Sequence, residues 1–173
     1  MKVERPFFYA VLAMLAWVPA LSAQKSADLP VAPVPAQIAA ARKVFVSNAG
    51  GESFENVMSQ TVFSGGPDRA YNQCYAAMKE LGRYELVSSP TDADLVLEVS
   101  SALADSGLSP GILGQLRLLV IDPKTHVTLW NFKEYVRGAM TLGNRDKNFD
   151  QAMTAIVNRM KILATPAPAS APR

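Results

Sequence analysis

Two apolar runs, residues 115–121 and 127–136, are separated by little more than Asp122-Pro123-Lys124-Thr125, and this arrangement constrains the fold more than any other feature of the chain. Proline presets its own φ, and aspartate hydrogen-bonds the backbone two residues on, so the four residues favour a tight turn. The two runs are therefore expected as antiparallel neighbours in a sheet. Residues 43–47, 84–87 and 94–103 add three more strands, the first ending at Asn48 and the Gly50-Gly51 pair.

Between the first two strands the periodicity becomes helical. Tyr71, Cys74, Tyr75, Met78 and Leu81 fall on one stripe, and Asp68, Arg69, Asn72, Lys79 and Glu80 lie mostly off it. Ser64-Gly65-Gly66-Pro67-Asp68 supplies a helix start and Gly82 a stop. Phe54, Val57 and Met58 have helical spacing and suggest a further short turn. A closing helix is expected over 145–163, with Phe149, Met153, Ile156, Val157, Met160 and Leu163 on one face. Asp146 lies early in it and Lys161 late, as the helix dipole favours. The predicted domain is α+β: a mixed, mostly antiparallel five-stranded sheet with two helices packed on one face, in the order β-α-β-β-β-β-α.

The ends of the chain read differently. Lys2 and Arg5 precede an apolar stretch at 7–18, Pro19 closes it, and Leu21-Ser22-Ala23 forms a small-residue processing site. That is the pattern of a signal peptide, and the apolar stretch is well short of the roughly 20 residues that span a bilayer. Export is the expectation, with a periplasmic location, or else secretion or association with the cell envelope. Gln24 follows the processing site where lipid attachment needs a cysteine, so no lipid anchor is expected, and membrane contact is expected only if the signal stays uncleaved. Residues 24–41 and 164–173 are rich in proline and alanine and read as a spacer and a disordered tail around a single domain at 42–163. Within that domain, 49% hydrophobic against 18% charged residues over the chain supports a packed core. The formal charge of +2 leaves no basic footprint for nucleic acid. Cys74 is the only cysteine, so stability must come from packing and not from disulfides.

Ala93-Asp94 opening an apolar strand, followed by the strand at 118–121, Asp122-Pro123-Lys124-Thr125 and Leu129-Trp130, resembles the small mixed-sheet domains of uncharacterised bacterial envelope proteins. Domain-of-unknown-function lipoproteins are among them, and more distantly the pattern is similar to the amino-terminal domain of the TolB translocation protein. The likeness covers about residues 44–163 in order of elements, and its residues are ones a fold requires: Asp122 and Pro123 for a turn, Trp130 for the core. The resemblance implies an envelope location and a mostly non-catalytic role, while the missing cysteine departs from the lipid-anchored members.

Candidate sites follow from chemistry and placement. The loop leaving the first strand and the start of the following helix should meet at the carboxyl edge of the sheet. Asn48, Gly50, Gly51, Ser64, Gly65 and Gly66 there can offer backbone N–H groups to a phosphate or carboxylate, or else serve only as turn formers. The loop 105–114 carries Leu108, Ile112 and Leu113, which either fold back over a sheet end or present an apolar patch to a partner. His126 reads as a solvated turn residue, Cys74 as core filling, Asp92 and Asp94 as strand-entry residues, and Glu98 as solvent-facing. No catalytic set, metal site or cofactor motif is apparent. The expected function is that of a non-enzymatic exported envelope protein, an adaptor or assembly accessory with a protein partner or self-association. The alternative is a binding module for a small anionic or apolar ligand at the glycine-lined end of the sheet.

Overall fold

The computed structural model describes residues 33–51, 62–103 and 111–165. The signal segment, spacer residues 24–32, the turn expected around Phe54, Leu108 and the tail from 166 lie outside the described residues. The elements run α1 (Ala36–Ala40), β1 (Lys43–Gly51), α2 (Arg69–Leu81), β2 (Glu85–Leu86), a 3-10 turn at Pro90–Asp92, β3 (Leu95–Leu103), β4 (Ile112–Ile121), β5 (Thr128–Arg137) and α3 (Leu142–Leu163). The strands form one mixed sheet in the spatial order β2-β1-β3-β4-β5. β1 is parallel to both β2 and β3, and the longer ladders β3-β4 and β4-β5 are antiparallel.

The hairpin forms as the turn chemistry requires. Asp122 accepts from the Lys124 N–H at 2.9 Å and the Thr125 hydroxyl at 2.9 Å. His126 has a left-handed backbone with φ 58° and donates its N–H to Asp122 O at 2.9 Å. Gly82, whose N–H donates to Lys79 O at 3.2 Å, stops α2 where the sequence places the stop. α3 starts slightly before the expected residue because the Thr141 hydroxyl accepts from the Asn144 N–H, a helix-start cap.

Alternation along the strands assigns the two faces of the sheet. Val44, Val46, Leu95, Leu97, Val99, Leu116, Leu118, Val120, Phe132 and Val136 point to the helix-covered face, where they meet Cys74 and Met78 of α2 and Phe149, Met153, Ile156 and Met160 of α3. Tyr75, expected on the buried stripe, is 40% exposed: it stacks along the helix on Tyr71, with ring centroids 6.2 Å apart, outside the core. Trp130 packs at the core rim, only partly buried.

The folded unit begins earlier than residue 42. Ile38 of α1 is 0% exposed within the core, and the Arg83 guanidinium holds Ala39 O at 2.9 Å. A short helix among prolines is invisible to periodicity, because one apolar side chain defines no stripe. At the other end, Ala164, read as the start of the tail, is also fully buried. α1, β5 and the end of α3 line an apolar groove of about 840 Å³ whose wall includes Trp130 and the 73% exposed Ile162.

Candidate functional site

The loop after β1 and the start of α2 do meet, through Asn48. Its side-chain amide donates to Asp68 Oδ1 at 2.7 Å, while its carbonyl oxygen accepts from the Gly50 N–H at 2.9 Å. This pins an irregularity in the β1-β3 ladder, where Asn48 pairs with Val99 but the next registered pair is Gly51 with Ser101. The bulge has an extra residue in β1 opposite Ser100. Gly51 passes so close to its neighbours that an added Cβ would lie 2.7 Å from Pro67 O and 2.8 Å from Ser101 Oγ, which no side chain can accept.

The second glycine pair is engaged elsewhere. The Ser64 N–H donates to Asp146 Oδ1 at 2.9 Å, and the Ser64 hydroxyl donates to Asp146 Oδ2. The anion expected at Ser64-Gly65-Gly66 is thus supplied by the chain itself, from α3. The expectation of free N–H groups at Ser64 and Gly50 is corrected: both donors are satisfied internally. Gly65, at φ 89°, lies where a Cβ would stand 3.2 Å from the Arg69 side chain, so the loop can close over that arginine only as glycine.

Arg69 itself is the residue that helical periodicity misplaced. It is 9% exposed, its Nη1 donates to Asp146 Oδ1 at 2.5 Å and to Ser64 O at 3.0 Å, and its Nη2 donates to Asp150 Oδ1 at 2.7 Å. Its guanidinium lies 4.4 Å over the Phe149 ring, which in turn contacts Phe63 at 5.3 Å between centroids. The i, i+4 carboxylates Asp146 and Asp150 were the available signal, since they put two negative groups on one side of the closing helix. The cluster joins loop, α2 and α3, and every charged group in it has a partner. Its role is therefore structural.

The glycines of β1 instead border a cleft of about 430 Å³ at the end of the sheet, lined by Gly50, Gly51, Ser100, Ser101, Gln115 and Arg117 among others. Ser100 pairs with Arg117, and Arg117 in turn with Lys133 of β5. None of the β3 and β4 residues that line this cleft was singled out from the sequence as a site. Arg117 reads there as a solvent-facing position, and the fold is needed to bring it near Gly51.

The loop placement of Ile112 and Leu113 is corrected: both belong to β4, and Leu113 packs against the core. Asp94 accepts from the N–H groups of Arg42 and Lys43 at 2.8 and 2.9 Å and fastens the start of β1 to β3. His126 is exposed in its turn. Among the described residues there is no group of three or more His, Cys, Asp or Glu placed to hold a metal ion.

Burial pushes the Cys74 thiol up to about 12. At pH 8 the native thiol is expected to react with a thiol reagent at least roughly a thousandfold more slowly than in urea, because so little thiolate forms. Equal rates would show that α2 opens readily from the sheet.

Three carboxyls are held below their ordinary value of 3.8. At Asp94 the causes are the Lys43 N–H, then that of Arg42, and at Asp122 the Lys124 N–H, then the Thr125 hydroxyl. At Asp146 burial acts upward, and the Ser64 hydroxyl and N–H together with Arg69 outweigh it. A lowered carboxyl contributes stability above its unfolded value and loses it as pH falls through the folded value. The urea midpoint is expected to stay level above about pH 5 and to drop below about pH 4. Asp146→Asn should flatten that drop as well as lower the plateau; an unchanged acid slope would contradict the assignment.

No family model matches the chain, and no curated protein matches it significantly. Among solved structures, one described as a neuraminyllactose-binding hemagglutinin homolog from Helicobacter pylori is similar at TM-score 0.38 and 13% identity, over 69% of this chain and 84% of that one. An uncharacterized lipoprotein B from Nitrosomonas europaea is similar at TM-score 0.36 and 9% identity, over 78% of this chain and 89% of that one. Neither is described as a TolB-type domain. At such scores nothing about what those proteins bind passes to this chain. No described helix is long and apolar enough to cross a membrane.

Proposed function

We propose that the chain is a non-enzymatic exported protein of the cell envelope that acts through contact with a protein partner, at the sheet face opposite the helices. The observation that supports this is the state of that face. Phe45, Val96 and Ile121 are aligned in register across β1, β3 and β4, and Leu119, opposite Glu98, lies two residues from Ile121 on the same face; all four are half-buried, and none belongs to or packs against the buried cluster. Sheets of a single domain normally cover both apolar faces, and an apolar patch without a partner among the described residues supports an interaction surface. The burial of Cys74 and the structural engagement of Asp94, Asp122 and Asp146 support a role in binding over one in catalysis.

A photo-crosslinking residue placed at Leu119, in the full chain expressed in its own host, tests the assignment. The expected result is one discrete adduct from Leu119 and none from Gln151 on the outer side of α3. An adduct of twice the chain mass would make the partner a second copy. Crosslinking from Ile162 and not from Leu119 would move the contact to the apolar groove, and no adduct at either position would defeat the adaptor reading.

A further inference from the structure

We propose that the partner at the open sheet face is a second copy of this chain, docked about a two-fold axis that sets Glu98 of each copy against Arg117 of the other. The inference rests on the reading of that face as a contact surface and names its occupant. Val96, Glu98 and Ser100 of β3 alternate with the buried Leu95, Leu97, Val99 and Ser101, and so point away from the helices, as do Arg117 and Leu119 of β4. Glu98 is opposite Leu119 and Arg117 is opposite Ser100, which puts the carboxylate and the guanidinium on adjacent strands, one step apart along the same face. No ion pair or hydrogen bond joins them, and neither charged group has such a partner among the described residues. Glu98 is half-buried, with the apolar Val96 and Leu119 as its neighbours on the face, so its carboxylate stands at the edge of the patch that a partner would cover.

An acid and a base left unpaired side by side are self-complementary. A two-fold axis in the plane of the face, midway between Glu98 and Arg117, exchanges their positions, so a second copy brings the opposite charge to each, and the one contact is made twice. Such pairs fix orientation, and the apolar residues around them supply the affinity. Lys133, opposite Arg117 on the edge strand β5, is exposed with its ammonium 5.1 Å over the Tyr135 ring, so its charge remains in solvent at the rim. The size of the face agrees. β1, β3, β4 and β5 have nine or ten residues each. At about 4.8 Å between strands and about 3.3 Å per residue they make a surface of roughly 600 Å² in plan. With the relief of the side chains added, that is near the roughly 800 Å² that one partner of a standard interface buries. Two such faces packed about 10 Å apart form a sandwich, which covers the second face of each sheet.

The test is sedimentation of the chain purified from its own host, over a range of concentrations, for the natural chain and two charge-reversal variants. The natural chain is expected to reach twice the monomer mass. Glu98→Arg and Arg117→Glu should each weaken that association by about tenfold or more, because each sets like charges against one another in its own dimer. Mixed in equal amounts, the two variants should associate with each other, since every crossing contact in the mixed dimer then joins opposite charges. That recovery also shows both variants to be folded, and the double variant, which swaps the two charges, should associate as the natural chain does. A dimer that both single variants leave intact, or variants that stay apart on mixing, would overturn the two-fold pairing. A natural chain that is monomeric throughout would overturn the second copy. In that case a Leu119 adduct to a different protein keeps the partner surface, whereas no adduct removes both readings together.

Discussion

Replacing Arg69 with methionine is expected to lower the stability of the domain by about 2–4 kcal/mol, measured by urea denaturation. The loss is not of one contact. Arg69 donates to both Asp146 and Asp150 and to Ser64 O, and it covers the ring of Phe149. Methionine keeps much of the apolar cover but leaves the Asp146 carboxylate with only the two Ser64 donors. Removing one member of a buried charge pair is more damaging than removing both, because the remaining charge keeps its desolvation penalty. The Asp146 side chain is 21% exposed and that of Asp150 56%, so water reaches the orphaned carboxylates and the cost stays below that of a dry core. Arg69→Met combined with Asp146→Asn should therefore recover part of the loss. A double-mutant cycle with no coupling would reduce the cluster to a solvated surface pair.

This cluster also marks the limit of what the sequence could disclose. The hairpin, the stop at Gly82 and the buried face of α3 were legible because each depends on residues a few positions apart: turn formers flanked by apolar runs, or apolar side chains at helical spacing. Arg69 and its carboxylates are 77 and 81 positions apart, and no local pattern shows that a charged residue near a helix start will be buried under a distant helix. The glycine pairs illustrate the same point from the other side. Their position at the sheet's carboxyl end was readable, but whether their N–H groups were free depended on Asp146 and on Asn48 folding back to Gly50. The pairing of β1 between β2 and β3 was equally beyond reach, since parallel neighbours need no turn between them to announce it.

The open sheet face was legible only as a puzzle. Strands as apolar as β3 imply cover on both sides, but the described residues hold just two long helices, and both lie on one side. What remains on the other is a graded surface. Phe45, Val96, Leu119 and Ile121 lie toward the end nearer the 122–127 turn, and Arg117, Lys133 and Gln115 toward the bulge.

Ile38→Ala is expected to cost about 2–4 kcal/mol, although it alters a residue in a stretch whose composition reads as a spacer. Ile38 is fully buried, so its removal leaves a void at the end of the core that α1 alone cannot close. α1 is short, with Pro35 at its start and no side-chain cap, and it is too brief to be stable by itself. What holds it is tertiary: Ile38 and Ala41 in the core, and Ala39 O on the Arg83 guanidinium. A chain beginning at Arg42 should therefore be less stable than one beginning at Pro33, by at least as much as Ile38→Ala, because it loses all of these together. Equal urea midpoints for the two would show α1 to be an ornament on a domain complete without it. A large difference would place the domain's first structural residue inside the proline-rich stretch, where one isoleucine does the work that a stripe does in a longer helix.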